Sequence, residues 1–264
     1  MRTTLVAGNW KMNLTSVQGA ALVESLIRTV RSRPDVDVCV CPPYLSIPRI
    51  REQLKSQSVM MLGAQDVFWK DSGAFTGQIS PKQLHEFCVD FCIVGHSETR
   101  GKFGKLEIDP EQVSHFTETD QTVNLKIKAL LFYGITPILC VGETLAEREA
   151  GETDEVIRTQ LRGALEGVMD AELYSFVIAY EPVWAIGTGK VCDTAEAQRV
   201  CAMIRNELRE LYDAEVADSV RVLYGGSVKP DNAAELFAQP DIDGGLVGGA
   251  SLDADSFSAI VMSA

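Results

Sequence analysis

The stretch Ala179-Tyr180-Glu181-Pro182-Val183-Trp184-Ala185-Ile186-Gly187-Thr188-Gly189-Lys190 opens where a short apolar run, Phe176 to Ala179, comes to an end. A run of that length and composition reads as a buried strand. Pro182 biases the residue before it toward extended backbone, so the Glu181 carboxylate is pinned at the strand end. Gly187 and Gly189 can take positive φ and bring backbone close to a ligand. Between them and Pro182 lie Val183, Trp184, Ala185 and Ile186, an apolar tip that is costly in water unless it closes over something. The stretch reads as strand, carboxylate and lid. A buried turn with a capping glutamate is the plain alternative, and the other strand ends bear on the choice.

Similar apolar runs recur through the chain with helical segments between them, the signature of βα units and a parallel sheet. They are Leu5 to Gly8, Val36 to Cys41, Val59 to Ala64, Phe91 to Gly95, Thr136 to Val141, Phe176 to Ala179, Val220 to Tyr224 and Gly244 to Val247. Helix starts support the pattern: Ser80-Pro81 sets proline at a first helical position, Asp193 with Glu196 suggests a capping box, and Asp231 or Asn232 can cap another helix. The greasy stretch Ile127 to Val141 is broken by Gly134 and Pro137 and reads as helix end, turn and strand. Repeated βα units in this number fit a closed (β/α)8 barrel, and no linker divides the chain, so one domain over 1–264 is expected.

The formal net charge of -13 argues against nucleic acid and anionic membrane as partners. A small anion is still within reach if helix N-termini and one or two cations hold it. No signal-peptide core opens the chain and no uninterrupted apolar run is long enough to span a bilayer, so a cytoplasmic protein is expected. Cys39, Cys41, Cys88, Cys92, Cys140, Cys192 and Cys201 lie mostly in apolar surroundings, as reduced core thiols do. Cys39 and Cys41 alternate along one strand and share a face. Histidines are too few and badly spaced for a metal, and none is expected.

In a barrel of this kind, catalytic groups gather where strands end. Here those ends carry Asn9 and Lys11, Gln65, His96 and Glu98, Glu143 and Glu181. Taken singly, Lys11 is a solvated charge, His96 a satisfied core histidine, and Glu98 and Glu143 helix caps. Jointly they converge on one mouth. Tyr224-Gly225-Gly226-Ser227 and Val247-Gly248-Gly249-Ala250, after the last two strands, are turns where barrels hold phosphate, with the N–H groups of Ser227, Gly248 and Gly249 as donors and Gly187 joining from the lid.

The stretches AGNWKMN (Ala7–Asn13), GAFTG (Gly73–Gly77), VGHSE (Val94–Glu98), ILCVGE (Ile138–Glu143), AYEPVWAIGTGK, YGGS and LVGGASL (Leu246–Leu252) resemble the triosephosphate isomerase family from end to end and in the family's order. The resemblance implies a TIM barrel and the interconversion of dihydroxyacetone phosphate and D-glyceraldehyde 3-phosphate, in glycolysis and gluconeogenesis, without a cofactor. Glu181 would be the base, made more basic in a closed, dry pocket. His96 would be a neutral donor, its cation disfavoured by a helix N-terminus at Ser97-Glu98-Thr99. Lys11 would face the enediolate, Asn9 would donate a hydrogen bond, and Glu98 would orient Lys11 or His96. Closure would keep the enediolate from expelling its phosphate. The resemblance also implies a homodimer, with loop 66–79 inserted into the partner and Thr76 meeting its Asn9 and Lys11. Val67, Phe68, Trp69, Ala74 and Phe75 would suit that burial, against the plainer reading of a loop folded on its own barrel.

Several positions depart from the family pattern. Gln78 and Thr99 stand where a glutamate and an arginine would pair between subunits. Val191-Cys192 ends the lid where Thr-Ala is usual, and Gly245 replaces a bulkier residue. The polar, acidic stretch Gly104–Phe116 (GKLEIDPEQVSHF) is extra, read as a surface excursion beside the mouth or interface. Two other functions stay open on the sequence alone: an isomerase of four-carbon sugar phosphates on the same barrel, and a non-catalytic phosphate-binding scaffold.

Overall fold

A computed structural model of the chain describes residues 2–30, 33–55 and 59–264. Eight parallel strands, β1 (Leu5–Asn9), β2 (Asp37–Cys41), β3 (Met61–Ala64), β4 (Phe91–Val94), β5 (Thr136–Val141), β6 (Val177–Tyr180), β7 (Arg221–Tyr224) and β8 (Gly244–Val247), follow in sequence order around a closed barrel. The expected runs become strands with ends shifted by a residue or two. β8 closes on β1 with Leu5 opposite Gly244 and Ala7 opposite Leu246. At Gly244 the backbone takes φ +131°, and a β-carbon there would lie 1.9 Å from the Leu5 carbonyl oxygen, so the closing seam demands glycine.

Alternation along the strands builds two cores. Leu5, Ala7, Cys39, Cys41, Ile93, Ile138, Cys140, Ala179 and Leu223 point into the barrel, while Val6, Val38, Val40, Leu62, Leu139 and Ile178 pack outward against the helices. Both faces are dry, which is why the strands read as unbroken apolar runs. Cys39 and Cys41 share the interior, their sulfurs 3.9 Å apart. Cys88 departs from the expected burial: it is exposed, in a left-handed turn with φ +48° after the helix Pro81–Glu86. The space left by Gly245 is taken by Phe237 and Val228, whose carbons lie 3.3–3.4 Å from where a side chain would begin.

Helices cover the barrel on their apolar stripes; Ser16–Val30 buries Ala20, Val23, Leu26 and Val30 at helical spacing. Ser80 caps Pro81–Glu86 in a reciprocal box with Gln83, as its sequence suggests. The box expected at Asp193 is only half formed. Asp193 accepts from the Glu196 N–H at 2.8 Å, but the Glu196 carboxylate is drawn away to Arg148 and Arg199, whose charge outweighs a neutral amide. Asn232 sits at the start of Ala233–Phe237 without capping it, because its amide turns back to the Lys229 N–H and the Ser227 carbonyl.

Beneath the strands' N-terminal ends lies a buried charge cluster. Arg205, on the helix Thr194–Leu211, donates to Asp241 at 2.8 Å, to Asp243 at 2.6 Å and to the carbonyls of Ala217 and Val220. Asp243 also accepts from Arg2 and from the Val222 N–H. The N-terminus, β7, β8 and the long helix are thereby tied at one point.

Candidate active site

The mouth is built from the strands' carboxyl ends. After β1, the Asn9 side chain accepts the Lys11 N–H at 3.0 Å, and Gln65, after β3, donates to the Lys11 carbonyl at 2.8 Å. These bonds hold Lys11 at φ +50°, a left-handed conformation unusual for a residue with a side chain and maintained by its surroundings. The Lys11 ammonium reaches Glu98 in a short ion pair. Glu98 is not a helix cap, since residues 97–101 form turns and no helix begins there.

Glu181 is 2% exposed and spends both oxygens on the wall of β4: one on His96 Nε2 at 2.8 Å, the other on the Ser97 N–H at 2.9 Å. His96 Nδ1 accepts the Glu98 N–H at 3.1 Å. A nitrogen that accepts carries no proton, so the neutral ring holds its hydrogen on Nε2, aimed at Glu181. In this parked arrangement the contact between the two groups sets the electrostatics, and the helix terminus expected beside His96 is absent. Burial would lower the imidazole pKa, but the Glu181 carboxylate in contact raises it above the ordinary value. Burial would likewise raise the Glu181 carboxyl, yet His96 and the Ser97 N–H hold it below the usual range. The reason is that base and imidazole are parked on each other rather than separated, and no helix begins at His96.

This pairing fixes two signs. The lowered Glu181 contributes stability that is present above its unfolded pKa and lost as pH falls through its folded value; the raised His96 contributes stability present below its unfolded pKa and lost as pH rises through its folded value. In Glu181→Gln the largest raising group is gone while burial and the more distant Glu98 carboxylate remain, so the His96 titration midpoint read by NMR falls relative to wild type. A midpoint unchanged from wild type would contradict the contact.

The cavity, about 390 Å³, is lined by Asn9, Lys11, His96, Glu181, Gly187, Ser227, Gly248 and Gly249, so the expected residues meet in one place; Glu98 stands behind Lys11. The glycine turn after β8 leads straight into a short helical turn, Gly249–Leu252, but Ser227 lies well ahead of the helix Ala233–Phe237, because the Asn232 bonds hold an intervening loop. Val228 and Lys229 also line it without any mark in the sequence, and Trp10, Ile186 and Leu246 join from stretches whose other residues had drawn attention. Ser97 was noticed only as part of an expected helix start; its contact with Glu181 goes through a main-chain N–H, which residue type does not reveal.

Glu143 belongs to a different place. It is fully buried and accepts from the Trp184 indole at 2.7 Å and the Tyr180 hydroxyl at 3.2 Å, while the Arg148 guanidinium lies 4.4 Å over the Trp184 ring. Burial pushes the Glu143 carboxyl up against these hydrogen bonds. It caps no helix: Thr144 does that, with Glu147. Val183, Trp184 and Ala185 are consequently buried in a helical turn at the lid's root, not exposed as an apolar tip. Ile186 is half-buried and the outer part, from Gly187 to Val191, faces solvent, with Gly187 and Gly189 left-handed as their loop requires.

A barrel whose mouth joins a buried carboxylate to an imidazole, an ammonium and a glycine-lined cradle belongs to the class of barrel enzymes that move protons on small anionic substrates. A family model described as triosephosphate isomerase matches residues 4–264. Proteins named triosephosphate isomerase from Carboxydothermus hydrogenoformans and Trichlorobacter lovleyi are each 48% identical to this chain, over 99% of it and 98% of their own length. One from Moorella thermoacetica is 49% identical over the same shares. The chain belongs to the triosephosphate isomerase family and is an isomerase.

Proposed function

We propose that the chain interconverts dihydroxyacetone phosphate and D-glyceraldehyde 3-phosphate by moving one proton between adjacent carbons. The observation that carries this reading is the convergence of Glu181, His96 and Lys11 on a cavity also lined by Gly248 and Gly249. Glu181 leaves Ser97 and takes the proton alpha to the carbonyl. The charge that develops on the substrate oxygens meets the Nε2–H of His96, the Lys11 ammonium and the Asn9 amide, groups already in place before the reaction. Glu98 keeps the Lys11 chain extended across the mouth. Ser227, Gly248, Gly249 and, on closure, Gly187 donate main-chain N–H groups to the phosphate. Residues 1–264 act as one domain, with 104–116 as an excursion from it.

The working form is a homodimer joined through loop 66–79. Residues 70–78 are all exposed and Phe75 is 41% so; Met12 and Leu45, which follow β1 and β2 on the same rim, are 96% and 90% exposed. Val67, by contrast, is buried in its own subunit, with Phe68 stacked on Trp69 beside it, so the apolar offering is narrower than the sequence suggests. The Thr99 hydroxyl is engaged internally, donating to Glu118, which Lys126 neutralises, so the missing ion pair leaves no orphan here. The protein works in the cytoplasm, in glycolysis and gluconeogenesis; its cysteines are unpaired thiols, and among the described residues no helix is long and apolar enough to cross a membrane.

Two assays test the reading. Purified protein turns over glyceraldehyde 3-phosphate in preference to a four-carbon ketose phosphate; the reverse preference corrects the substrate, and no turnover of either leaves a scaffold. Sedimentation at micromolar concentration gives a dimer, and Thr76→Arg shifts it toward monomer with loss of activity. A fully active monomer defeats the dimer.

A further inference from the structure

The excursion Gly104–Phe116 begins against the lid. Gly104 lies so close to the lid's root that a β-carbon on it would stand 2.3 Å from both the Val183 and the Ile186 carbonyl oxygens, well inside contact distance. Its φ is not left-handed, so space alone requires glycine there. The next residue, Lys105, lies beside Gly187 of the lid, its β-carbon 3.9 Å from where a Gly187 side chain would begin.

The piece that carries Gly104 is anchored on the catalytic wall. Gly101 N–H donates to the Glu98 carbonyl at 3.2 Å and Lys102 N–H to the Ser97 carbonyl at 2.8 Å. The Lys102 ammonium reaches Glu147 at 2.9 Å, and Phe103 meets Phe116 edge to face at 5.5 Å, fastening the base of the excursion. Ser97 is the residue whose N–H holds Glu181 in its parked position. The parked base and the lid root therefore both rest on one short stretch of backbone, 97–104.

We infer that Gly104 is a positioning residue: the seat on which the lid rests while the cavity is open. It touches neither substrate nor reacting atoms and acts through the position of Val183–Ile186. In this arrangement Gly187, Gly189, Lys190 and Val191 are exposed, the lid root is latched to Glu143, and the two carbonyls abut Gly104. A side chain at 104 would displace the root from its seat and weaken the open state relative to the closed one. Ligands that bind the closed form would then bind more tightly, because less of their affinity is spent shifting the population.

The inference rests on the reading of 182–190 as the closing segment, which wild-type turnover tests separately. The experiment compares wild type with Gly104→Ala, measuring KM for glyceraldehyde 3-phosphate, inhibition by glycerol 3-phosphate, and the thermal midpoint. The expected result is a fall of about threefold or more in both KM and the inhibition constant. A merely structural glycine would lower the midpoint and leave both constants unchanged, and that outcome overturns the inference. Should Gly104→Ala not fold, Phe116→Ala serves: Phe116 is 40% exposed, so its loss spares the fold but loosens the anchored base. Both constants then move in the same direction by a smaller factor, and unchanged constants again overturn it.

Discussion

Glu181→Ala lowers kcat by about 10²- to 10⁴-fold, the contribution of a positioned acid–base group, with far less change in KM. The methyl that remains accepts no proton, while the phosphate cradle is on other elements and keeps its donors. Folding is retained: the side chain's two partners are the Ser97 N–H and His96 Nε2, and the cavity beside them admits water to both. Glu181→Asp is the sharper companion. It keeps the charge but withdraws it by about one methylene, and misplacement on the order of 1 Å costs about 10²-fold where geometry supplies the rate. Steady-state kinetics read both, with the thermal midpoint as a control on folding. If Glu181→Ala kept kcat within about tenfold of wild type, Glu181 would not be the base.

Arg205→Ala destabilises the fold by about 3–5 kcal/mol, the range found when one member of a buried charge group is removed. The guanidinium satisfies two carboxylates and three carbonyls at once. Without it, Asp243 retains Arg2 and the Val222 N–H, whereas Asp241 retains only the Gln198 amide and the Ala217 and Val220 carbonyls lose a donor. Arg205→Lys restores charge but not the planar fork that reaches all of them, so it recovers only part of the loss. Urea unfolding at fixed protein concentration measures both, since association would otherwise enter the midpoint. A loss under about 1 kcal/mol for Arg205→Ala would mean that the surrounding acids find water or other donors. The cluster lies at the opposite end of the barrel from the mouth, so kcat and KM stay as in wild type.

The strands were legible because parallel strands buried on both faces must be apolar throughout, and runs such as Thr136–Val141 have no other soluble use. The polar residues that interrupt this rule at strand ends, Asn9, His96 and Glu181, were conspicuous for the same reason. Glu143 obeyed the same pattern and was misplaced by it. A carboxylate after β5 can face the mouth or turn under the lid, and only the position of the Trp184 indole decides.

What the sequence by itself determined was therefore the barrel, the rim on which chemistry sits and the identity of the groups there, since these follow from burial and local backbone preference within a few residues. The tertiary structure alone decided which of those groups touch. Ser97 acts through a main-chain N–H that every residue but proline owns; the pKa directions of Glu181 and His96 depend on a contact between β4 and β6; and Gly104 matters because two carbonyls from a distant loop leave it no room. Such contacts depend on distances across the fold, and residue type and local spacing carry no information about them.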